Sequence, residues 1–312
     1  MLRSALLYLS SQPKVFSFVR QNRMAKGFAA RFVAGETLDS ALDAVKRLNA
    51  KVITASLDLL GESVRDEKEA REAARQYIRI LDRIKERRLD ANVSVKLTAM
   101  GLDLDEELCV ASMQNILERA RAHETFVRID MEGSDYTRRT LDMFYHRLFP
   151  SYRGNVGIVL QSYLYRAFQD VQEANAAGAR VRLCKGAYKE PESVAYADKK
   201  DVDDSYLRCM RELLLNGHYP GIATHDERMV RETRRFAREN RIAPDRFEFQ
   251  MLYGVRRDLQ EKLVREGYRM RVYVPFGTQW YPYLMRRLAE RPANVAFITG
   301  NVLKEMVGRN RG

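Results

Sequence analysis

The chain has 312 residues, 46% of them hydrophobic, with 17 glycines, 8 prolines and a formal net charge of +12. That composition is globular, with no low-complexity or linker-like tract, and no run of about 18 apolar residues is present, which excludes a spanning helix. Three cysteines, Cys109, Cys184 and Cys209, are odd in number and form no Cys-x-x-Cys pair, which excludes a disulfide framework and a structural zinc and points to a reducing compartment.

The basic excess is uneven. Arg3, Lys14, Arg20, Arg23, Lys26 and Arg31 precede the first acid, Glu36, so half of the surplus lies in the first 35 residues. An amphipathic helix pair beside the main domain, contact with an anionic membrane surface, and a targeting segment all fit this stretch. A nucleic-acid-binding face would interleave aromatic residues with Lys and Arg over a broad surface. The only dense, acid-free cationic stretch is this one, so nucleic acid is not expected as a partner.

From residue 51 onward, short segments alternate apolar and polar residues. Val93, Val95 and Leu97 alternate with Ser94, Lys96 and Thr98, and Val127, Ile129 and Met131 with Arg128, Asp130 and Glu132. Phe247, Phe249 and Met251 alternate with Glu248, Gln250 and Leu252, and Val272 and Val274 with Arg271 and Tyr273. Successive strand side chains point to opposite faces, so one face is apolar and the other carries ionisable groups. The pattern predicts strands near 51–59, 92–98, 126–131, 156–161, 180–184, 221–225, 246–251 and 271–274. Helical patterns fall near 66–88, 105–122, 136–148, 165–177, 204–216, 227–239, 257–266 and 281–291. Eight strand–helix pairs predict an α/β fold, a TIM-type (βα)8 barrel at 48–312 with its charged face inward, preceded by an N-terminal helical arm at 1–47. No Gly-x-Gly-x-x-Gly or P-loop string occurs, which removes the main support for a dinucleotide or P-loop fold.

Barrel chemistry sits at the carboxyl ends of the strands. There the sequence places Asp58 and Glu62, Lys96, Asp130 and Glu132, Gln161, Arg182 and Lys185, Thr224, His225 and Asp226, Gln250, and Tyr273. Charges inside a barrel can also simply neutralise one another, as buried ions must. Asp130, Glu132, His225 and Asp226 suit a divalent cation by type, the basis of an alternative reading as a metal-dependent lyase or hydrolase. No His-x-His or His-x-x-x-His pair supports it, and no metal is expected. Gly186 and Ala187, flanked by Arg182 and Lys185, suit a turn that approaches a phosphate closely. Arg286 and Arg287 with Glu290 are either a surface salt bridge or a guanidinium pair for a carboxylate with a carboxylate for its amine.

Eight strings occur in one order: Leu57-Asp58-Leu59-Leu60-Gly61-Glu62, Val95-Lys96-Leu97-Thr98, Arg128-Ile129-Asp130-Met131-Glu132, Val159-Leu160-Gln161-Ser162-Tyr163, Arg182-Leu183-Cys184-Lys185-Gly186-Ala187-Tyr188, Ala223-Thr224-His225, Phe247-Glu248-Phe249-Gln250, and Tyr273-Val274-Pro275 with Arg286-Arg287-x-x-Glu290. Together they resemble the proline dehydrogenase family in its monofunctional, bacterial form. Lys189, where bifunctional relatives carry Trp, agrees with that branch.

The resemblance implies a distorted barrel with noncovalent FAD over the strand ends, oxidation of L-proline to 1-pyrroline-5-carboxylate by hydride transfer to flavin N5, and electrons passed to a membrane quinone. It implies flavin contacts at Asp130, Met131, Gln161, Arg182, Lys185, Gly186, Ala187, Thr224 and His225, with Asp130 and Arg182 as the catalytic pair. It implies substrate contacts at Lys96, Leu252, Tyr273, Tyr283, Arg286, Arg287 and Glu290, and a gate in which Glu62 latches the last helix through Arg286. A separate pyrroline-5-carboxylate dehydrogenase would take the product. The expected location is cytoplasmic and peripheral at the inner membrane, with the mitochondrial matrix as the alternative.

Overall fold

The computed structural model describes Gly27 and residues 29–290, the last five by backbone alone. Eight parallel strands close into a barrel in sequence order. They are β1 Thr54–Leu59, β2 Ala91–Val95, β3 Val127–Ile129, β4 Val156–Gln161, β5 Arg180–Cys184, β6 Gly221–Ala223, β7 Glu248–Leu252 and β8 Arg269–Phe276. Pairing of Ser56 with Tyr273 on β8 and with Asn92 on β2 closes the ring. Eight strands leave an interior that side chains can fill, so the parity of each strand decides what lies inside.

The outward parity forms the main core. Val93, Val95, Val127, Ile129, Phe247, Phe249, Val272 and Val274 are fully buried beneath the helices. Those helices are α1 Leu38–Asn49, α2 Glu67–Glu86, α3 Glu106–Ala122, α4 Ser134–Met143, α5 Ala167–Ala177, α6 Lys199–Asn216, α7 Glu227–Glu239, α8 Arg257–Arg265 and α9 Trp280–Glu290. Asp66, Asp105 and Asp226 start α2, α3 and α7 by accepting from the backbone N–H groups of Glu69, Leu108 and Arg228. The helix expected at 136–148 continues past α4 through a π-helical turn, Phe144–Leu148, into a further turn at Phe149–Tyr152 that holds Pro150. A proline has no N–H for the i→i−4 ladder, and the wider turn before it absorbs that loss.

The barrel is distorted where it closes. The seam between β8 and β1 is covered by α1, whose Ala41, Leu42, Ala44 and Val45 join the main core, and not by α9, the helix after β8. The expected boundary at 47/48 therefore falls inside a helix that belongs to the barrel's shell, while residues 1–26 of the arm lie outside the described residues. Trp280, Tyr281, Tyr283, Leu284 and Met285 of α9 pack instead with Ala29, Phe32, Val33 and Leu60 in a separate small cluster. Trp280 Nε1 donates to Glu36 at 2.9 Å, which ties α9 to the segment leading into α1. Burying side chains such as Leu42 and Val45 stabilises by roughly 1.5–3 kcal/mol each. A charge at Leu42 would therefore open the seam.

Candidate functional site

The inward parity supplies a lumen crossed by hydrogen bonds. Arg182 on β5 spans it: Nη1 donates to Asp130 Oδ1 at 2.7 Å and to Ser94 Oγ at 3.0 Å, and Nε donates to Gln250 Oε1 at 2.5 Å. Its guanidinium carbon lies 5.3 Å from the centre of the Tyr273 ring. Asp130 is filled from both sides, with Ser94 Oγ donating to Oδ1 and Tyr273 Oη to Oδ2, each at 2.8 Å. Burial, and then the Asp130 carboxylate, raises the Tyr273 phenol well above its ordinary range, so it stays protonated and acts as a donor.

A second buried pair lies beside the first. Lys96, just past β2, donates from Nζ to Asp58 Oδ1 at 3.0 Å. Burial favours the neutral amine of Lys96, but the Asp58 and Asp130 carboxylates outweigh it and raise the ammonium well above its usual value. Burial also raises the Asp58 carboxyl, with Lys96 pulling it back. The other oxygen, Asp58 Oδ2, is buried and has no hydrogen-bond partner among the described residues. Gln161 at the end of β4 repeats that situation. Its Nε2 donates to the carbonyls of Met131 and Glu132 at 3.4 and 3.2 Å, while its Oε1 is buried without a partner. A buried unsatisfied acceptor costs about 1–3 kcal/mol. Both residues line one pocket, so the acceptors that the protein itself leaves open lie on its wall.

That pocket opens at the carboxyl ends of the strands. Asp58, Glu62, Lys96, Asp130, Met131 and Gln161 line one side, and Arg182, Lys185, Gly186 and Ala187 the next. Thr224, His225, Leu252, Tyr273 and Tyr283 complete the ring. Every expected site residue whose side chain is described is therefore brought to one cavity. The side chains of Arg286, Arg287 and Glu290 lie outside the described residues, and with them the expected latch from Glu62. β2, β3 and β6 end before Lys96, Asp130, Thr224 and His225, so these four stand on the loops at the rim.

Local geometry explains several placements. The backbone N–H of Leu252 donates to His225 Nε2 at 2.8 Å, which leaves the ring proton of the neutral imidazole on Nδ1. Lys185 Nζ donates to Asp203 at 2.5 Å and Asp226 at 2.9 Å. Burial works against both carboxylates, but Lys185 holds each below its ordinary value. Gly186 has φ +117°, and a Cβ there would come within 2.5 Å of the Tyr163 ring, so only glycine brings this loop down onto that ring. Inside the lumen, a Cβ on Gly157 would meet Arg128 Nη1 at 2.7 Å, so a missing side chain on β4 makes room for the arginine of β3.

Some members were not legible in advance. Ser94 joins Asp130 to Arg182, and its inward parity was the one available signal. Asp203 lies on α6, where nothing in its neighbourhood marks it as the partner of Lys185. Among the described residues, no group of three or more His, Cys, Asp or Glu side chains is placed to hold a metal ion.

Known proteins resemble this chain over most of its length. A family model described as proline dehydrogenase matches residues 41–300. Proline dehydrogenase 1 of Bacillus subtilis subsp. natto is 43% identical over 305 residues, covering 98% of this chain and 100% of that protein. Proline dehydrogenase of Deinococcus radiodurans is 40% identical over 305 residues, covering 97% and 98%. Among solved structures, proline utilization A (PutA) of Bdellovibrio bacteriovorus inactivated by N-propargylglycine superimposes with a TM-score of 0.79 at 29% identity. The match covers 85% of this chain and 32% of that longer one, so this chain corresponds to about a third of it.

Proposed function

Because the chain belongs to the proline dehydrogenase family and is an oxidoreductase, we propose that it oxidises L-proline to 1-pyrroline-5-carboxylate with a noncovalently held FAD at the barrel mouth. The observation that carries the cofactor reading is the buried, unpartnered Gln161 Oε1 beside the Asp130–Arg182 pair. An isoalloxazine ring presents an imide N–H that such an acceptor would satisfy. Lys185 and the Gly186–Ala187 turn bring a cation and backbone N–H groups to where a pyrophosphate would lie, and Met131, Thr224 and His225 border the same space. A bound FAD would supply the hydride acceptor for the substrate carbon, at its N5.

The chain's own residues bind, orient and tune. Lys96 would take the substrate carboxylate, with Arg286 and Arg287 as further cations on α9 and Glu290 for the amine. Leu252, Tyr273 and Tyr283 would wall the ring. The substrate ammonium must lose a proton before the neighbouring carbon gives up hydride, and burial beside cations lowers an amine pKa. Arg182 would stand near the ring nitrogen that becomes electron-rich, where positive charge stabilises the reduced cofactor. Glu62 would latch α9 through Arg286 and close the mouth.

Electrons would pass to a membrane quinone, and contact of the basic residues 1–35 with anionic lipid at the inner membrane would bring the protein there. No helix among the described residues is long and apolar enough to cross a membrane, so the attachment proposed is peripheral. The imine product would go to a separate pyrroline-5-carboxylate dehydrogenase. Purified protein tests the reading: it should be yellow, with the absorption of oxidised flavin, and should bleach anaerobically when L-proline is added. A colourless protein activated by a divalent metal would favour a lyase or hydrolase instead.

A further inference from the structure

Helix α4 begins without a cap of its own. Gly133 precedes it, has no side chain, and leaves the backbone N–H groups of the first turn to find acceptors elsewhere. One acceptor comes from the loop between β5 and α6 (residues 185–198). Glu190 Oε1 accepts from the backbone N–H of Ser134 at 2.9 Å, and Glu190 Oε2 accepts from the Ser134 hydroxyl. Glu190 Oε1 also accepts from the Tyr163 hydroxyl at 3.1 Å.

One carboxylate thus joins three of the loops that leave the mouth. Ser134 starts the helix that follows Asp130 and Met131, Tyr163 lies two residues beyond Gln161, and Glu190 follows Lys185, Gly186 and Ala187. The ring of Tyr163 is the surface under Gly186, and its hydroxyl is the group held by Glu190. The backbone reinforces the arrangement on both sides of the loop, since Tyr163 N–H donates to Lys185 C=O at 2.9 Å and Tyr196 N–H to Tyr163 C=O at 2.8 Å. Residues 191–194 between these ties are exposed, and Glu190 joins the loop to α4.

We propose that Glu190 is a positioning residue that assembles the cofactor cradle by fixing the β3, β4 and β5 loops relative to one another; this rests on the flavin reading of the mouth. A carboxylate suits the task for two reasons. Its negative charge is stabilised at the positive end of a helix. It also accepts on two oxygens, whereas an amide offers one acceptor and must turn its NH2 toward a donor. Without it the backbone tie between Tyr163 and Lys185 would remain, but the loop beyond Gly186 would lose its link to α4 and to the Tyr163 hydroxyl.

The test compares the full chain with Glu190→Ala, Glu190→Gln and Tyr163→Phe. Three quantities are measured: the rate of FAD release on dilution, read from recovered flavin fluorescence; the melting temperature of the flavin-free protein; and KM and kcat for L-proline at saturating FAD. Glu190→Ala should release FAD about tenfold faster or more, the scale of one charged hydrogen bond. Glu190→Gln should fall between it and the parent, and Tyr163→Phe, which loses one limb of three, should show the smallest effect. KM for proline should stay within about twofold and the flavin-free melting temperature should fall by no more than a few degrees, the scale of one lost helix cap, which separates positioning of the cradle from a general loss of structure. FAD release from Glu190→Ala as slow as from the parent would overturn the proposal. A rise in KM for proline with unchanged release would overturn it too, by placing Glu190 with the substrate. A parent protein that binds no flavin would be a different failure, that of the mouth reading itself, visible before any variant is made.

Discussion

At the floor of the lumen the Glu248 carboxylate is filled by donors on both oxygens, whereas at the mouth two buried acceptors are left open. Arg271 donates to Glu248 from Nε at 2.8 Å and to the Ala55 carbonyl from Nη1 at 2.8 Å, and Gln250 Nε2 donates to Glu248 at 2.6 Å. Burial opposes the Glu248 carboxylate, but Arg271 overcomes it and holds the group below its ordinary value. Arg128 donates from Nη1 to the carbonyls of Ile158 and Arg180 at 2.9 and 2.5 Å and stacks on Phe126, while its Nε, a donor, is buried without a partner among the described residues. The mouth is built from the same residue types, yet Asp58 Oδ2 and Gln161 Oε1 remain buried without partners. The abundance of charge in a barrel therefore says little about function. Acceptors that the protein itself leaves open say more.

The largest expected effect comes from breaking the floor. In Glu248→Gln, Arg271 loses its carboxylate, and Arg128, already pulled well below the usual guanidinium range by burial and then by Arg182, loses the acid that offsets it. Removing one partner of a buried ion pair costs about 3–5 kcal/mol. Denaturant unfolding should show that loss, while KM for proline in the flavin-loaded protein stays near the parent value. A variant of unchanged stability would mean that the floor does not depend on this pair.

Breaking the mouth should do the reverse. In Arg182→Met, flavin reduction by proline should slow by roughly two to three orders of magnitude, the scale of losing one preorganised charged donor, about 2.7–4 kcal/mol. Proline binding should weaken far less. Stopped-flow reduction separates the two, and an unaltered rate would assign Arg182 to structure, with the residues of the floor.

The same contrast explains what could be read in advance. Strand parity is a local property, so the eight strands, the charged lumen and the gathering of Lys96, Asp130, Gln161, Arg182 and Tyr273 follow from alternation and from the family's strings. The seam is not local. Nothing in residues 38–49 distinguishes a helix that covers β8 and β1 from one in a detached arm, because that choice depends on contacts more than 200 residues away in sequence. The cap on α4 was hidden for the same reason: Gly133 and Glu190 are unremarkable until the β5 loop is laid across the rim. The unpartnered oxygens are likewise invisible in a sequence, since only coordinates show which hydrogen bonds are not made.

A smaller effect should sharpen the mouth reading. Tyr283 is buried at the mouth on α9, where its ring would take the space that a 4-hydroxyl needs. Rejection of one extra polar atom is worth about 1–3 kcal/mol, so trans-4-hydroxyproline should be a poor substrate and not an inert one. Tyr283→Ser should narrow the kcat/KM ratio between the two substrates, chiefly by harming proline. A ratio that does not move would leave substrate choice to other residues.

The smallest effect belongs to the rim of the mouth, where the β5 loop meets α6. Asp203 is buried and accepts from Lys185 and Lys199, each at 2.5 Å, so it joins the β5 loop to α6. Burial opposes its charge, but the two lysines outweigh that and hold its carboxyl below the ordinary 3.8. A carboxyl whose folded value lies below its unfolded one adds stability that is fully present above the unfolded value and disappears as pH falls through the folded value. The parent should therefore exceed Asp203→Asn by a constant margin at neutral and mildly acidic pH, and that margin should shrink below about pH 4. Lys199 is largely exposed, so solvent screens part of the interaction and the margin should be about 1 kcal/mol. Urea unfolding across that range measures it. A margin that grew on acidification would mean that Asp203 is held protonated in the fold, and Lys185 would then have Asp226 as its one charged partner.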